Sequence, residues 1–354
     1  MAGFLLQKTA DLIQSLEANH ACQQQDNMRR RTFIALLSGT VATWAVAARA
    51  QQVGKTHRVG VFSTTARFGV WHLHQALIHS LRELGYVEGK NITFEHRFAE
   101  GKMDLLAGIA AELVSLGPDV IVAGPNTTVR AIMDASSTVP IVMTYSAEPV
   151  ASGLIASLAR PGGNITGLTS DVTPETYGLR LQLLKEINPK ASRVAALWNP
   201  NAIGSKALRA TEDAGKQLGI TIASHEARSI ADLQREFSSI SEEAVEGMLV
   251  FTDGLTYARR RDIIAFAASE RIPTMYGSRE SVDDGGLISY GVNLTAIYRR
   301  AASFIDKILR GAKPGDLPVE QPTILEQIIN LKTAKTLGLV LPPTLLARAE
   351  EVIE

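Results

Sequence analysis

The segment "DVIVAGPNTTVRAIMDA", residues 119–135, decides how the chain is read. Val120-Ile121-Val122-Ala123 is an unbroken apolar run rather than an apolar/polar alternation, which is the mark of a strand buried on both faces of a parallel sheet. Gly124-Pro125-Asn126 then breaks the run, and an amphipathic stretch continues through about Ala135. Strand, polar turn and helix in that order form half of a parallel crossover unit, with the polar turn at the carboxyl end of the strand. In open parallel sheets that end is where ligands bind.

The unit recurs along the chain. "RVGVF" (58–62) leads through "STTARFG" to a helix near Val70–Leu84, and "NITFEHRF" (91–98) precedes a helix near Met103–Leu116. "PIVMTY" (140–145) leads to "SAEPV" and the apolar "GLIASLA"; "LARPGG" reads as a helix ending at Arg160 with a turn at Pro161-Gly162-Gly163, and "NITGLT" (164–169) closes the first half. The cycle restarts with strand candidates "RVAALWN" (193–199), "TIASHEA" (221–227), "GMLVFTD" (247–253), "IPTMYG" (272–277) and "GLISYG" (286–291). Helices fall around Ser205–Leu218, Ile230–Glu243 and Tyr257–Glu270. A helix near Leu294–Leu309 and the Pro/Gly-rich "RGAKPGDLPVEQPT" (310–323) read as a return crossover, and the chain ends in helix-like "NLKTAKTLGL" and "TLLARAEEVIE". About 300 residues exceed one comfortable hydrophobic core. The expected fold is therefore α/β, with two Rossmann-like lobes built on parallel sheets.

Ahead of this lies "MRRRTFIALLSGTVATWAVAARAQQ" (28–52). Three arginines, an apolar stretch of about 16 residues and the small-residue end Ala48-Arg49-Ala50 read as an export signal over residues 28–50, because a membrane anchor wants about 20 mostly apolar residues. Arg30-Arg31-Thr32-Phe33-Ile34 is similar to a twin-arginine signal. Signals stand at the start of a chain, so residues 1–27 read as an over-extended start. The expected compartment is the periplasm.

Composition narrows the partners. The whole chain balances 36 basic against 36 acidic residues. Without residues 1–50 it loses Lys8, Arg29, Arg30, Arg31 and Arg49 against Asp11, Glu17 and Asp26, leaving 31 against 33 and a net charge of −2. Neither nucleic acid nor an anionic membrane is an evident partner. The single cysteine, Cys22, lies in the leader, so the exported chain would carry no disulfide.

Enzyme motifs are missing where they would be needed. No G-x-G-x-x-G follows the first strand, and "GYVEGKN" (85–91) has three residues between its glycines, where a phosphate loop has four, and Asn91 where Ser or Thr would hold magnesium. No G-x-S-x-G elbow is present. His72, His74 and His79 lack metal-ligand spacing and read as packing or surface residues. No cofactor is expected.

What remains are polar groups at strand carboxyl ends. In the first lobe these are Ser63, Thr64 and Thr65; Asn126, Thr127 and Thr128; and Ser146, Ala147 and Glu148. In the second they are Asn199, Asp253 and Ser278, with Asn293 at a hinge position. Hydroxyls and free backbone N–H groups at helix starts suit a carboxylate, and Glu148 and Asp253 suit a ligand ammonium. Each residue taken singly is equally a helix cap; recurrence on the strand ends of two lobes is what points to a cleft. Trp71, Tyr145, Trp198, Tyr257 and Tyr276 are candidate walls.

Several stretches, "PIVMTYSAEPVASGLIASLARPGGNITGLTS", "LISYG", "YRRAASFIDKILRGAKPGDLPVEQPT" and "INLKTAKTLGLVLPPTLLARAEEVIE", resemble the periplasmic substrate-binding components of ABC transporters, in the group that includes tryptophan/tyrosine-type binding proteins. The resemblance covers Met28 to Glu354. It implies a type I periplasmic-binding-protein fold, with lobe 1 at 55–169 plus about 293–325, lobe 2 at 170–292 plus about 326–354, and hinge strands between them. It further implies a monomer that closes on a small polar organic solute, amino-acid-like by preference, and docks on a membrane permease whose ATPase subunit hydrolyses ATP. Family members commonly have Asp-Pro where this chain has Glu148-Pro149. An exported α/β enzyme or a ligand sensor using the same cleft are the competing readings.

Overall fold

The computed structural model describes residues 55–170, 172–202, 204–322 and 325–354. The leader and the export signal lie outside the described residues.

The first lobe follows the chain through β1 (His57–Ser63), α1 (Arg67–Glu83), β2 (Ile92–Phe98), α2 (Leu106–Ser115), β3 (Val120–Gly124), α3 (Asn126–Ala135), β4 (Ile141–Ser146) and β5 (Ile165–Thr169). Its five strands are all parallel, in the order β2-β1-β3-β4-β5. Both faces are covered. Val59, Val61, Val120 and Val122 pack into one hydrophobic cluster, whereas Phe62, Ile121, Ala123 and Met143 pack into the other. Side chains alternate across a strand, so two buried faces require the unbroken apolar runs seen in the sequence.

The second lobe continues with α4 (Pro174–Ile187), β6 (Arg193–Trp198), α5 (Ser205–Leu218), β7 (Thr221–Glu226), α6 (Ile230–Glu242), β8 (Met248–Val250), α7 (Gly254–Ala258), α8 (Arg260–Ser269), β9 (Thr274–Tyr276), α9 (Arg279–Asp283) and β10 (Ile288–Val292). After α10 (Leu294–Leu309) the chain adds β11 (Leu325–Asn330), α11 (Leu331–Thr336), α12 (Pro343–Leu346) and β12 (Glu351–Ile353). The seven strands run in the order β12-β11-β10-β9-β8-β6-β7; only β10 and β11 are antiparallel.

The two lobes are interwoven by α10. It follows the second-sheet strand β10, yet Ile297, Ala301, Phe304, Ile305 and Ile308 share a cluster with Val59, Leu73, Leu77 and Leu81 of the first lobe. The spacing of those positions makes one apolar helix face, buried against α1 and β1. The chain then returns to the second sheet at β11, after Glu320 has paired with Leu168 at the end of β5.

Four departures from the sequence reading stand out. "GLIASLA" and the residues up to Gly163 are turns and bends, so Arg160 ends no helix. Helix α4 was not expected. The expected helix 257–270 is two helices that part at Arg259, whose φ of −105° and ψ of 16° fall outside the α region. The final "EVI" is a strand on the edge of the second sheet rather than helix, because Ile328 to Asn330 offers it a partner.

Between α1, β2 and α10 lie two stacked imidazoles. His74 is fully buried with neither ring nitrogen hydrogen-bonded; it stands 5.1 Å from His96, 5.6 Å from Phe98 and 5.9 Å from Tyr298. Burial, helped by the charges of neighbouring His96, His72 and Arg67, pushes the pKa of His74 down to about 3, and burial with Arg67 and Arg97 pushes His96 down to about 4. A histidine held neutral contributes stability above its unfolded pKa, near 6.5, that is lost as pH falls through the folded values. The urea midpoint of the protein is therefore expected to fall between about pH 6 and pH 4, and His74→Leu to flatten that fall while leaving stability at pH 7 equal or higher; an unaltered pH profile would contradict this.

Candidate functional site

The carboxyl ends of both sheets face each other across a cleft. On the first lobe, Thr65 N donates to Ser63 Oγ at 3.1 Å and turns the chain from β1 toward α1. Thr128 Oγ1 donates to Pro125 O at 2.8 Å and begins α3. Asn126 clamps the loop after β4: its Nδ2 donates to Ala147 O at 2.7 Å, and its Oδ1 accepts from Ala147 N at 3.0 Å. Asn126 is thus largely occupied by structure. Thr127 Oγ1 and Ser146 Oγ are buried and have no hydrogen-bond partner among the described residues.

On the second lobe the same residue types do more capping. Asn199 Oδ1 accepts from Asn201 N at 3.0 Å. Asp253 forms a capping box on α7, accepting from Leu255 N at 2.7 Å and from Thr256 Oγ1 at 3.1 Å while its own N–H donates to Thr256 Oγ1 at 2.9 Å. Burial raises its carboxyl to about 6, against the opposing hydrogen bonds from Leu255 and Thr256. Ser278 Oγ faces Ser281 Oγ at 3.3 Å. Asn293 caps α10 by accepting from Ala296 N at 2.8 Å, and its Nδ2 donates to Glu326 Oε2 at 2.9 Å.

The lobes touch. Thr64 Oγ1 donates to Gly254 O at 3.4 Å, Arg260 Nη2 to Gly69 O at 3.3 Å, and the rings of Tyr145 and Tyr257 stand 6.0 Å apart. His72 Nε2 lies 3.5 Å from Glu280 Oε1. Glu148, at a φ of +46°, lays its carboxylate against Gly204 so closely that a Cβ there would fall 2.5 Å from Oε2. Between these contacts two narrow, adjoining pockets share Pro125, Tyr145 and Gly254. Ser63, Thr64, Thr65, Tyr257 and Tyr298 line one; Asn126, Thr127 and Asp253 line the other. A groove of about 610 Å³ between α2 and α3 meets the second pocket at Asn126 and Thr127.

The site therefore gathers Ser63, Thr64, Thr65, Asn126, Thr127 and Asp253. Glu148, Asn199, Ser278, Asn293 and Ser146 do not line the pockets, and of these Asn293 is spent on capping and crossover. Of the aromatic candidates only Tyr145 and Tyr257 face the cleft. Trp198 is core, with Nε1 donating to Ser224 Oγ at 2.9 Å, Tyr276 is core as well, and Trp71 meets His96 edge to face with ring centroids 5.1 Å apart.

Burial leaves more polar atoms without partners here. The hydroxyls of Tyr145 and Tyr257 and the Oε2 of Glu280 are buried and unpaired among the described residues. Burial first, then the charges of Asp253 and Glu280, hold the Tyr145 hydroxyl well above its ordinary pKa; burial, then Glu280, does the same for Tyr257. Sequence reasoning missed Glu280, Tyr298 and Arg180. Arg180 sits on α4, whose start was signalled by Thr173-Pro174-Glu175, since Pro at the first helical position with an acid in the first turn marks a helix N-terminus. Among the described residues no group of three or more His, Cys, Asp or Glu could hold a metal ion, and no helix is long and apolar enough to cross a membrane.

Two sheets of this topology with polar strand ends facing across a cleft define a type I periplasmic-binding-protein architecture. Residues 58–353 match the ABC transporter substrate binding protein family, and the chain belongs to it. It is 27% identical over 286 residues to a tyrosine-binding protein of Clostridioides difficile strain R20291, covering 80% of this chain and 82% of that protein. Among solved structures, a conserved domain protein of Vibrio cholerae is 29% identical with a TM-score of 0.77, covering 84% of this chain and all of that one. An ABC domain from Streptococcus pneumonia in complex with L-Trp is 23% identical with a TM-score of 0.76 over the same shares, a likeness of fold.

The raised Asp253 carboxyl yields a second pH prediction of opposite sign to that of the histidines. A carboxyl whose folded pKa exceeds its unfolded 3.8 contributes stability that is present below about pH 4 and lost as pH rises through about 6. Asp253→Asn, which keeps the capping oxygen but cannot ionise, should be more stable than wild type at pH 7 by up to about 3 kcal/mol, the worth of roughly two pKa units. Chemical denaturation at pH 4 and pH 7 measures it; an equal difference at both pH values would contradict the assignment.

Proposed function

We propose that the protein is the solute-binding component of an ABC importer, exported to the periplasm after removal of residues 28–50. There it closes as a monomer on a small polar organic solute, amino-acid-like by preference, and delivers it unchanged to a membrane permease and its ATPase. In this reading lobe 1 is 55–169 with about 293–325, lobe 2 is 170–292 with about 326–354, and Ser63, Thr64, Thr65, Asn126, Thr127, Ser146, Glu148, Asn199, Asp253, Ser278 and Asn293 make up the cleft and its rim.

One observation carries the reading: polar atoms buried without a partner among the described residues stand on both sides of the cleft, Thr127 Oγ1 and Tyr145 Oη from the first lobe, Tyr257 Oη and Glu280 Oε2 from the second. Buried polar groups are ordinarily satisfied, and a polar solute held between the lobes supplies the partners. The pockets are too narrow to admit a solute while the lobes touch, so entry requires them to separate. Contacts from the second lobe then exist only on closure, and the solute favours the closed form by their differential energy. The tyrosine-binding relative and the L-Trp complex support an amino-acid-like ligand.

Thermal-shift screening against amino acids, sugars and other small solutes, with chromatography of the mixture afterwards, tests this. A specific shift with the solute recovered intact is expected; steady conversion of the solute would make the protein an enzyme. Closure is tested separately at Gly254, where a Cβ would stand 2.7 Å from Pro125 Cγ across the cleft. Gly254→Val is expected to abolish the decrease in radius of gyration that the bound solute produces in small-angle X-ray scattering, and to weaken binding at least 10-fold; compaction equal to wild type would contradict the closing mechanism.

A further inference from the structure

The second lobe holds a buried cation that the fold does not neutralise. Arg180 on α4 is 5% exposed. Its Nε donates to Tyr290 O at 2.7 Å and its guanidinium lies 4.9 Å over the ring of Tyr177. Burial lowers its pKa, while Tyr177, which also hydrogen-bonds it, Tyr145 and Tyr290 act in the other direction; no carboxylate among the described residues is paired with it. Its Nη2 lies 3.0 Å from where a Cβ on Gly277 would stand, at the carboxyl end of β9 and thus on the cleft side of the lobe. Gly277 and Gly291 both give it room, since a Cβ on Gly291 would stand 3.3 Å from the same nitrogen.

Glu280, on α9, is the opposite case. It is 6% exposed, its Oε1 lies 3.5 Å from His72 Nε2, and its Oε2 has no partner among the described residues. Glu280 and Arg180 do not pair with each other. Both nevertheless stand beyond the carboxyl end of β9, Arg180 against Gly277 and Glu280 three residues further along the chain, so the two charges lie on the same side of the cleft. A buried charge without a counter-charge is costly; two of opposite sign, held apart beyond the carboxyl end of one strand, are together satisfied by a ligand that carries both signs.

Resting on the cleft as the solute site, we propose that Arg180 and Glu280 form a zwitterion clamp, Arg180 taking a ligand carboxylate through its guanidinium and Glu280 Oε2 accepting from the ligand's ammonium, with the side chain among Tyr145, Tyr257 and Tyr298. Glu148 and Asp253, the acids that the sequence favours for the ammonium, are committed elsewhere, one at the rim against Gly204 and the other to capping α7. Arginine suits the carboxylate because its planar fork donates two parallel hydrogen bonds.

Isothermal titration of the purified protein with L-tyrosine, tyramine and 3-(4-hydroxyphenyl)propionate, and with L-tryptophan, tryptamine and indole-3-propionate, tests the clamp. Each analogue lacking one charge is expected to bind at least 100-fold more weakly than its parent. Arg180→Met should erase the preference for the amino acid over the decarboxylated amine, and Glu280→Gln the preference over the deaminated acid. The wild-type series decides even where a variant fails to fold. Equal binding of parent and analogues, or preferences that survive both substitutions, overturns the clamp while leaving the cleft as the solute site; binding of a sugar or other uncharged solute in place of all six compounds overturns the amino-acid reading and the clamp together.

Discussion

The structure turns on the cost of taking polar groups out of water without giving them partners. A buried unsatisfied hydroxyl or carboxylate oxygen costs on the order of 1–3 kcal/mol. At the facing rims of the two sheets four such atoms, Thr127 Oγ1, Tyr145 Oη, Tyr257 Oη and Glu280 Oε2, are gathered about one cleft, beside a buried guanidinium that forms no ion pair among the described residues. A core arranged only for stability would replace or pair them. Here they are held in place by neighbours whose own hydrogen bonds are complete: Asn126 ties the loop after β4, Asp253 caps α7, and Thr128 starts α3. The rims are thus held by local hydrogen bonds and their functional atoms unspent, the arrangement a preorganised binding site needs.

The crossovers convert that cost into a motion. Because α10 is built into the first lobe although it joins two strands of the second sheet, and because the link from β5 to α4 also passes between lobes, the halves are tethered at a few points while each keeps its own core. Opposite the tethers the lobes meet through scattered contacts, among them Thr64 to Gly254, Arg260 to Gly69, His72 to Glu280, Tyr145 to Tyr257 and Arg261 over the Phe68 ring. Glycine at 254 lets the surfaces approach without a side chain between them. The closed form thus depends on whatever adds contacts across the rims.

Much of this was legible in the sequence, for definite reasons. Strands such as Val120–Gly124 read clearly because burial on both faces forces a continuous apolar run, and the polar turns after β1, β3 and β8 read as site candidates because their position is fixed by strand direction. The role of each polar residue was less legible: Asn126, Asp253 and Asn293 are the same residue types as functional ligands, and only the geometry reveals that they cap. Arg180 was hidden because "PETYGLRLQLLKEI" carries leucines at 179, 181, 183 and 184, a strand-like alternation that ends in an adjacent pair, so the helix period does not stand out, and a cation within such a stretch looks like a solvated face. Glu280 was hidden because α9 is a five-residue helix, too short to show a period. The final strand was misread because Glu351–Ile353 has helix-favouring neighbours, and its partner β11 lies more than twenty residues away.

The central claim, that the unpaired rim atoms of both lobes are completed by one enclosed solute, is tested most directly by a crystal structure of the protein grown with the solute that raises its melting temperature. The account predicts a solute enclosed between the carboxyl ends of the two sheets, hydrogen-bonded to Thr127 or Tyr145 on one side and to Tyr257 or Glu280 on the other. A solute seated on one lobe alone, or in the groove between α2 and α3 with the rim atoms still unpaired, would contradict it.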